Sequence, residues 1–422
     1  MTSQIAWPWR VSRGPVALIA GLASLHAWAA GARGAEAEQI IRASGVQGGL
    51  VVHVGGGSAA RTAALRVNER YLVQGLERDA ARVAEARAFL RERQALGPVT
   101  VVSWDGKRLP YADNLVNLLI VESPAALAVD EMLRVLAPRG VAYVRSKGQW
   151  SRQTKPWPKD IDEWTHFLHG PDNNAVAADT RVAPPRHVQW VSGPPWARSH
   201  DHLSSLSAAV TAAGRLFCII DEGPIASVAA PSKWRLVARD AFSGVLLWKQ
   251  PVAPWENQLR PFRSGPAELP RRLVALGDRV YVTLGYGKPV TALDAATGQV
   301  VRTYAGTANT HEIVASDGRL YLVVSAPLGE ESPTTGKVLR KFDVWRGAYG
   351  EYTVQYMPKH IRALDADSGA LVWKKDDAEA RDVLPLTLAV AKGRVYFQNY
   401  SHVVALKAGS VSYTHLRAHA TS

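Results

Sequence analysis

Three groups of residues in this 422-residue chain have types and spacings suited to chemistry. The first is Val51-Val52-His53-Val54-Gly55-Gly56-Gly57, an apolar run that breaks at once into glycines. Such a turn lets a ligand reach the backbone, and it equally serves as a tight strand-to-helix connection. Two acids, Glu77 and Asp105, follow at the ends of later apolar runs. The second group is rich in histidine: His166 and His169 share the stretch Asp162–Asn174, and His200 and His202 flank Asp201. Imidazoles and carboxylates are ligands for zinc and other transition metals. This spacing matches no closed metal motif, and the same residues suit a polar loop held by tryptophans, so no metal is assigned. The third is Cys218, the sole cysteine. It excludes a disulfide framework and an all-cysteine metal site within the chain.

The glycine run and its acids need a sheet to hold them. Strands are expected at Gly49–Val54, Tyr71–Glu77, Val99–Asp105, Leu118–Val121 and Gly140–Val144, with helices over 59–68, 79–96 and 129–136. Strands alternating with helices predict a doubly wound parallel sheet, a Rossmann-like α/β domain over 36–148.

The motifs on this frame resemble those of class I S-adenosylmethionine-dependent methyltransferases. The strand and glycine turn match the first motif, and Leu109-Pro110-Tyr111-Ala112-Asp113 and Glu131–Gly140 match two later ones. The resemblance implies a cofactor site at Gly55, Gly57, Glu77 and Asp105, with Glu77 on the ribose hydroxyls and Asp105 near the adenine amino group. It specifies no catalytic residue. Three positions depart: His53 stands where the family has an acid, Ala59 replaces the last glycine of the loop, and Asn117 replaces an Asp before the fourth strand.

The second half of the chain repeats. Ala238-Arg239-Asp240-Ala241-Phe242-Ser243-Gly244 and its third strand to Trp248 return at Ala292–Gly298 and at Ala363–Trp373, and a fourth copy starts at Ala405. Each copy follows a phrase such as Gly277–Tyr281. The Asp accepts backbone N–H groups in the turn, and the Gly takes its left-handed position. The repeat resembles the pyrroloquinoline-quinone (PQQ)-type β-propeller blade, with Arg302 where other copies carry Trp248 and Trp373. The fold expected is therefore multidomain, a Rossmann-like methyltransferase fold followed by an all-β propeller of about four repeats over 206–408. Residues 149–205, rich in Trp and Pro, read as an ordered linker. An insertion over 327–358 carries Trp345, Tyr349, Tyr352 and Tyr356 and is a candidate surface for a protein or polymer ligand.

The net charge of +13 favours an anionic partner such as the cell envelope. With no dense basic run, no nucleic acid is expected. Arg10 and Arg13, an apolar run from Val16 to Ala30 and small residues beyond it read as a signal peptide over 1–32, hence periplasm or envelope. No later stretch is apolar enough to span a membrane. Residues 409–422 replace the expected blade ending and resemble translated sequencing-adapter read-through, so they are expected to be non-native and without structure. Three functional readings follow: an exported binding or scaffold protein with a degenerate methyltransferase-like domain, an active methyltransferase with a propeller module, or a PQQ-dependent dehydrogenase. The last resembles the chain only in its repeat, because one cysteine cannot supply that class's adjacent pair. Pyrroloquinoline quinone is not expected, and S-adenosylmethionine is the cofactor the resemblance implies.

Overall fold

The computed structural model describes residues 34–55, 57–122, 127–181, 184, 188–194, 205–226, 230–255, 269–326, 344–347, 350–353, 358–384, 386–412 and 418–419. The signal segment, His200, His202, Tyr349 and Tyr356 lie outside them.

The N-terminal unit is one six-stranded sheet: β1 (Gly49–Val54), β2 (Tyr71–Glu77), β3 (Val99–Ser103), β4 (Val116–Val121), β5 (Leu136–Ser146) and β6 (Gln149–Thr154), in the order β3-β2-β1-β4-β5-β6. The first five are parallel, and β6 runs antiparallel to β5. β1 and β4 are buried along their whole length, which is why they read as unbroken apolar runs: both faces are covered. One face packs on a helix over 34–44 (α1), α2 (Ala59–Ala64) and α3 (Ala80–Glu92). The other packs on α4 (Val129–Val135), the 104–115 loop and Val245 from the second unit.

The sheet runs past the expected boundary at 148. Five of the six β6 residues are exposed, so this strand carries no apolar alternation in the sequence. Trp150 stacks on Tyr143 across the pair, with ring centroids 4.8 Å apart.

Beyond it lie four four-stranded antiparallel sheets. The first holds β7 (Leu206–Ala212), β8 (Arg215–Asp221), β9 (Trp234–Asp240) and β10 (Leu246–Pro251). The second holds β11 (Leu273–Leu276), β12 (Arg279–Thr283), β13 (Val290–Asp294) and β14 (Val300–Thr303). The third holds β15 (Thr310–Ser316) and β16 (Arg319–Ser325). A separate hairpin of β17 (Val344–Gly347) and β18 (Gly350–Thr353) comes next, and β19 (Lys359–Asp365) and β20 (Leu371–Lys375) complete the sheet. A short helix, α5 (Ala378–Arg381), leads to the fourth: β21 (Ala389–Ala391), β22 (Arg394–Gln398), β23 (His402–Lys407) and β24 (Ala418–His419). This is the blade pattern expected from the repeats. β24 lies inside the segment expected to carry no structure. It pairs with His402 and Val403 of β23, whose open edge offers unpaired backbone groups to an extended segment.

Neighbouring blades are locked through the Asp-x-x-Ser/Thr-Gly turns. Asp294 accepts N–H bonds from Ala296 and Thr297 and the hydroxyl of Thr297. Trp248 of the preceding blade lies on Gly298, where a Cβ would come within 2.6 Å of the indole, and donates Nε1–H to Ala295 O at 3.0 Å. Gly298 has φ 73°, so glycine meets both the turn and the close approach. Trp373 donates in the same way to Ala408 O. Where Arg302 breaks the pattern, Tyr304 two residues on takes the role, its hydroxyl donating to Ala366 O at 2.5 Å. The first blade receives Trp190, which lies on Gly244 and donates to Ala241 O. The stretch read as linker thus supplies a blade-locking residue.

Candidate functional site

Parallel strands bring their carboxyl ends to one edge, and the order β3-β2-β1-β4 gathers the expected site there. Gly55 and Gly57 follow β1 with φ of 74° and 62°. Glu77 ends β2, and its Oε1 accepts the N–H of Arg78 and of Asp79, at 2.7 and 3.3 Å. Asp105 lies just past β3, exposed, with Oδ1 accepting Lys107 N–H. Arg78 reaches the loop that carries Asp105: its guanidinium lies 5.8 Å from the Trp104 ring centroid and donates to Gly106 O.

The three departures from the motif each acquire a structural role or partner. His53 is 2% exposed, with Nδ1 3.0 Å from Thr62 Oγ1 and Nε2 3.0 Å from Glu122 Oε1. An ionised carboxylate only accepts, so Nε2 carries a proton. Arg61 bonds Glu122 with one terminal nitrogen and Glu36 of α1 with the other, at 3.0 and 2.8 Å. Burial alone would raise Glu122, but the His53 hydrogen bond and the charges of His53, Arg61 and Arg145 outweigh it and hold the carboxyl below its usual range. The half-open recess lined by these groups has a volume of about 10 Å³, no more than a single water needs. Ala59 opens α2 behind the N-cap Ser58, whose Oγ accepts Arg61 N–H.

Asn117 sits at the opposite, amino end of the sheet, where the propeller docks. Its Oδ1 accepts Leu50 N–H and lies 3.0 Å from Ser243 Oγ, and its Nδ2 donates to Asp240 Oδ2 at 2.7 Å. Burial raises Asp240 above the usual carboxylate range despite hydrogen bonds from Ser243, Asn117 and Phe242. Gly48 and Gly49 let the units close: a Cβ on Gly48 would meet Leu247 at 2.7 Å, and one on Gly49 would meet Asn117 at 2.2 Å. The propeller therefore covers the edge remote from Gly55, Glu77 and Asp105.

The motifs that hold the fold are intact. Arg134 forks onto Glu131 with two 2.8 Å bonds, reaches Asp113 at 2.7 Å, and binds the carbonyls of Leu109 and Tyr111. Glu131 in turn accepts Leu109 N–H at 2.7 Å.

The histidine stretch runs along the inner strands of the propeller. Thr211 of β7 donates N–H to Trp164 O, Ala275 of β11 to Thr165 O, Ala315 of β15 to His166 Nε2 and Val390 of β21 to Pro171 O. One segment therefore accepts a backbone N–H from the first strand of each of the four described blades. Asn173 adds two bonds to Leu386 O and Leu388 O. Since Ala315 N can only donate, His166 Nε2 is unprotonated and Nδ1–H donates to Thr165 Oγ1 at 2.8 Å. His169 meets Asp162 at 2.7 Å instead. Among the described residues, no three His, Cys, Asp or Glu are grouped to hold a metal.

Burial and the nearby Arg271 charge push His166 down to about 4. An unfolded chain binds that proton near pH 6.5, so stability falls as pH drops from about 6.5 to about 4, by up to roughly 3 kcal/mol. His360, pushed to about 4 by burial and by Lys374 and Arg362, titrates in the same window. His166→Gln keeps an acceptor for Ala315 N–H. Denaturant melts from pH 7 to pH 4 should therefore show a shallower fall for His166→Gln than for the parent. Parallel curves would mean that His166 carries no such load.

Residues 232–413 match the family model described as outer membrane protein assembly factor BamB. No curated protein matches the chain. Solved structures similar to it include the cyclase SpnF (24% identity, TM-score 0.25, 28% of this chain and 47% of that one). Geranyl diphosphate C-methyltransferase from Streptomyces coelicolor A3(2) is another (18%, 0.24, 26% and 44%), as is the YcgJ protein from Bacillus subtilis (20%, 0.23, 26% and 48%). The chain spans about half the length of the solved structures it matches. No helix among the described residues is long and apolar enough to cross a membrane.

Proposed function

We propose that this chain is an exported, envelope-associated binding or scaffold protein whose methyltransferase-like domain serves as the base of a propeller and has given up methyl transfer. The observation that carries this reading is the charge network beside the glycine turn. His53, where the resemblance calls for an acid, is committed to Thr62 and Glu122. Arg61 is held between Glu122 and Glu36. A cationic methyl donor brought to that turn meets a guanidinium and a satisfied imidazole instead of an open carboxylate, which is a poor fit, so no transfer step is derived. The BamB-type family match and the signal-like N-terminus support an envelope location.

Glu77 and Asp105, on the edge remote from the propeller, favour the alternative, an active S-adenosylmethionine-dependent methyltransferase with a propeller module. A PQQ-dependent dehydrogenase has the least support, because the chain's own 164–171 segment lies against the inner strands of all four blades. Incubation of the full chain with labelled S-adenosylmethionine and envelope extract should leave every acceptor unlabelled. Label transferred in proportion to the protein would establish the enzyme instead.

A further inference from the structure

We propose that the cleft between the two units is a binding site for a phosphate group, a site distinct from the glycine-turn edge. The cleft has a volume of about 190 Å³, below the roughly 300–1,000 Å³ of pockets that enclose a whole drug-sized ligand, and so suited to a headgroup. Three arginines line it: Arg139 and Arg152 from the α/β sheet and Arg215 from the first blade's hairpin. Arg139 is set by a left-handed backbone (φ 64°), and its guanidinium stacks 4.9 Å from the Trp157 ring. Arg152 spends Nε on Ser44 O at 2.9 Å, which leaves its terminal nitrogens for a ligand. Among the described residues neither Arg139 nor Arg152 has a carboxylate within ion-pair distance, whereas Arg215 is shared by Asp278 and Gln47, each at 3.3 Å.

The only carboxylate among the lining residues is Asp240. Its oxygens are already taken by Asn117, Ser243 and the turn N–H groups. The cleft is therefore positive, with no internal counter-charge in reach of two guanidiniums. One guanidinium fork saturates a planar carboxylate, whereas forks arriving from separate backbone positions suit the divergent oxygens of a tetrahedral phosphate. The bound group would bridge Arg139 and Arg152 beside the Asn117–Asp240 contact. Free phosphate compounds and phospholipid headgroups both present it.

The test uses the full chain at low salt. Calorimetry with inorganic pyrophosphate should show binding that chloride at equal ionic strength does not reproduce. Arg139→Gln and Arg152→Gln should each weaken it about tenfold or more, while thermal melts in chloride show both variants folded. Arg139→Lys, which keeps the charge and loses the fork, should fall between. Flotation with phosphatidylglycerol vesicles separates the sources: vesicle binding displaced by pyrophosphate upholds a lipid headgroup, and pyrophosphate binding alone upholds a soluble phosphate. Absence of both, or pyrophosphate affinity unchanged in both glutamine variants, overturns the site.

Discussion

Asn117→Asp should cost at least about 3 kcal/mol and loosen the propeller from the α/β sheet. Asn117 is 8% exposed and donates Nδ2–H to Asp240, itself 8% exposed. A carboxylate cannot donate, so the substitution sets two acids at hydrogen-bond distance in a buried contact. Loss of a hydrogen bond to a charged group is worth roughly 1.5–3 kcal/mol, and an uncompensated buried charge adds to it, toward the roughly 3–5 kcal/mol of a broken buried pair. The two acids would then share a proton, raising one pKa strongly, so the damage should ease as pH falls. Asp240→Asn added to Asn117→Asp restores one donor facing one acceptor, and Oδ1 of the new Asn still accepts from the turn. Denaturant melts should show the double variant recovering most of the loss. Equal stability of parent and single variant would remove Asn117 from the contact.

Arg271→Leu should cost about 3–5 kcal/mol. Arg271, 2% exposed in the turn Leu269–Arg272, lies 3.5 Å from Glu312, which is 1% exposed in β15. It also donates to Asn173 Oδ1 at 2.6 Å and to Leu388 O, so it ties the second, third and fourth blades to the inner segment. Removing the cation alone leaves the Glu312 charge buried. Removing both charges, as in Arg271→Leu with Glu312→Gln, should recover a large part of the stability, since replacing a buried pair altogether is often close to neutral. A single variant within about 1 kcal/mol of the parent would show that the pair is dispensable.

How far the sequence could be read follows from where each signal lay. The parallel sheet was visible because β1 and β4 are wholly apolar, and the blades because their turns need Asp, Ser or Thr and Gly at fixed offsets. The innermost strands β7, β11, β15 and β21 precede the Gly-Arg phrases and carry no turn signature, so their role in holding the 164–171 segment was not legible. His166 and His169 drew attention as metal-type residues, yet His166 proves to be an acceptor for a backbone N–H. That role depends on β15, some 149 residues away. Trp190 was hidden by the prolines and the irregular, mostly exposed chain around it, and the spacing that marked Arg302 as a departure gave no sign that Tyr304 could reach the same carbonyl. At the glycine turn the sequence showed the loss of an acid at His53. It could not show that Glu122, after β4, and Glu36, in α1, close a network with Arg61, because those contacts join elements far apart in the chain. Asn117 looked like a weakened motif and is instead a contact made across the two units.

The most direct test of the central claim is calorimetric titration of the full chain with S-adenosylmethionine, beside His53→Asp. An open carboxylate facing a cationic ligand is worth about ten- to more than a hundredfold in affinity. Among the described residues, Glu122 is the carboxylate that meets His53, and it already serves both His53 and Arg61. The account predicts no saturable heat from the parent at micromolar ligand. Micromolar binding by the parent chain would contradict it and restore the methyltransferase reading.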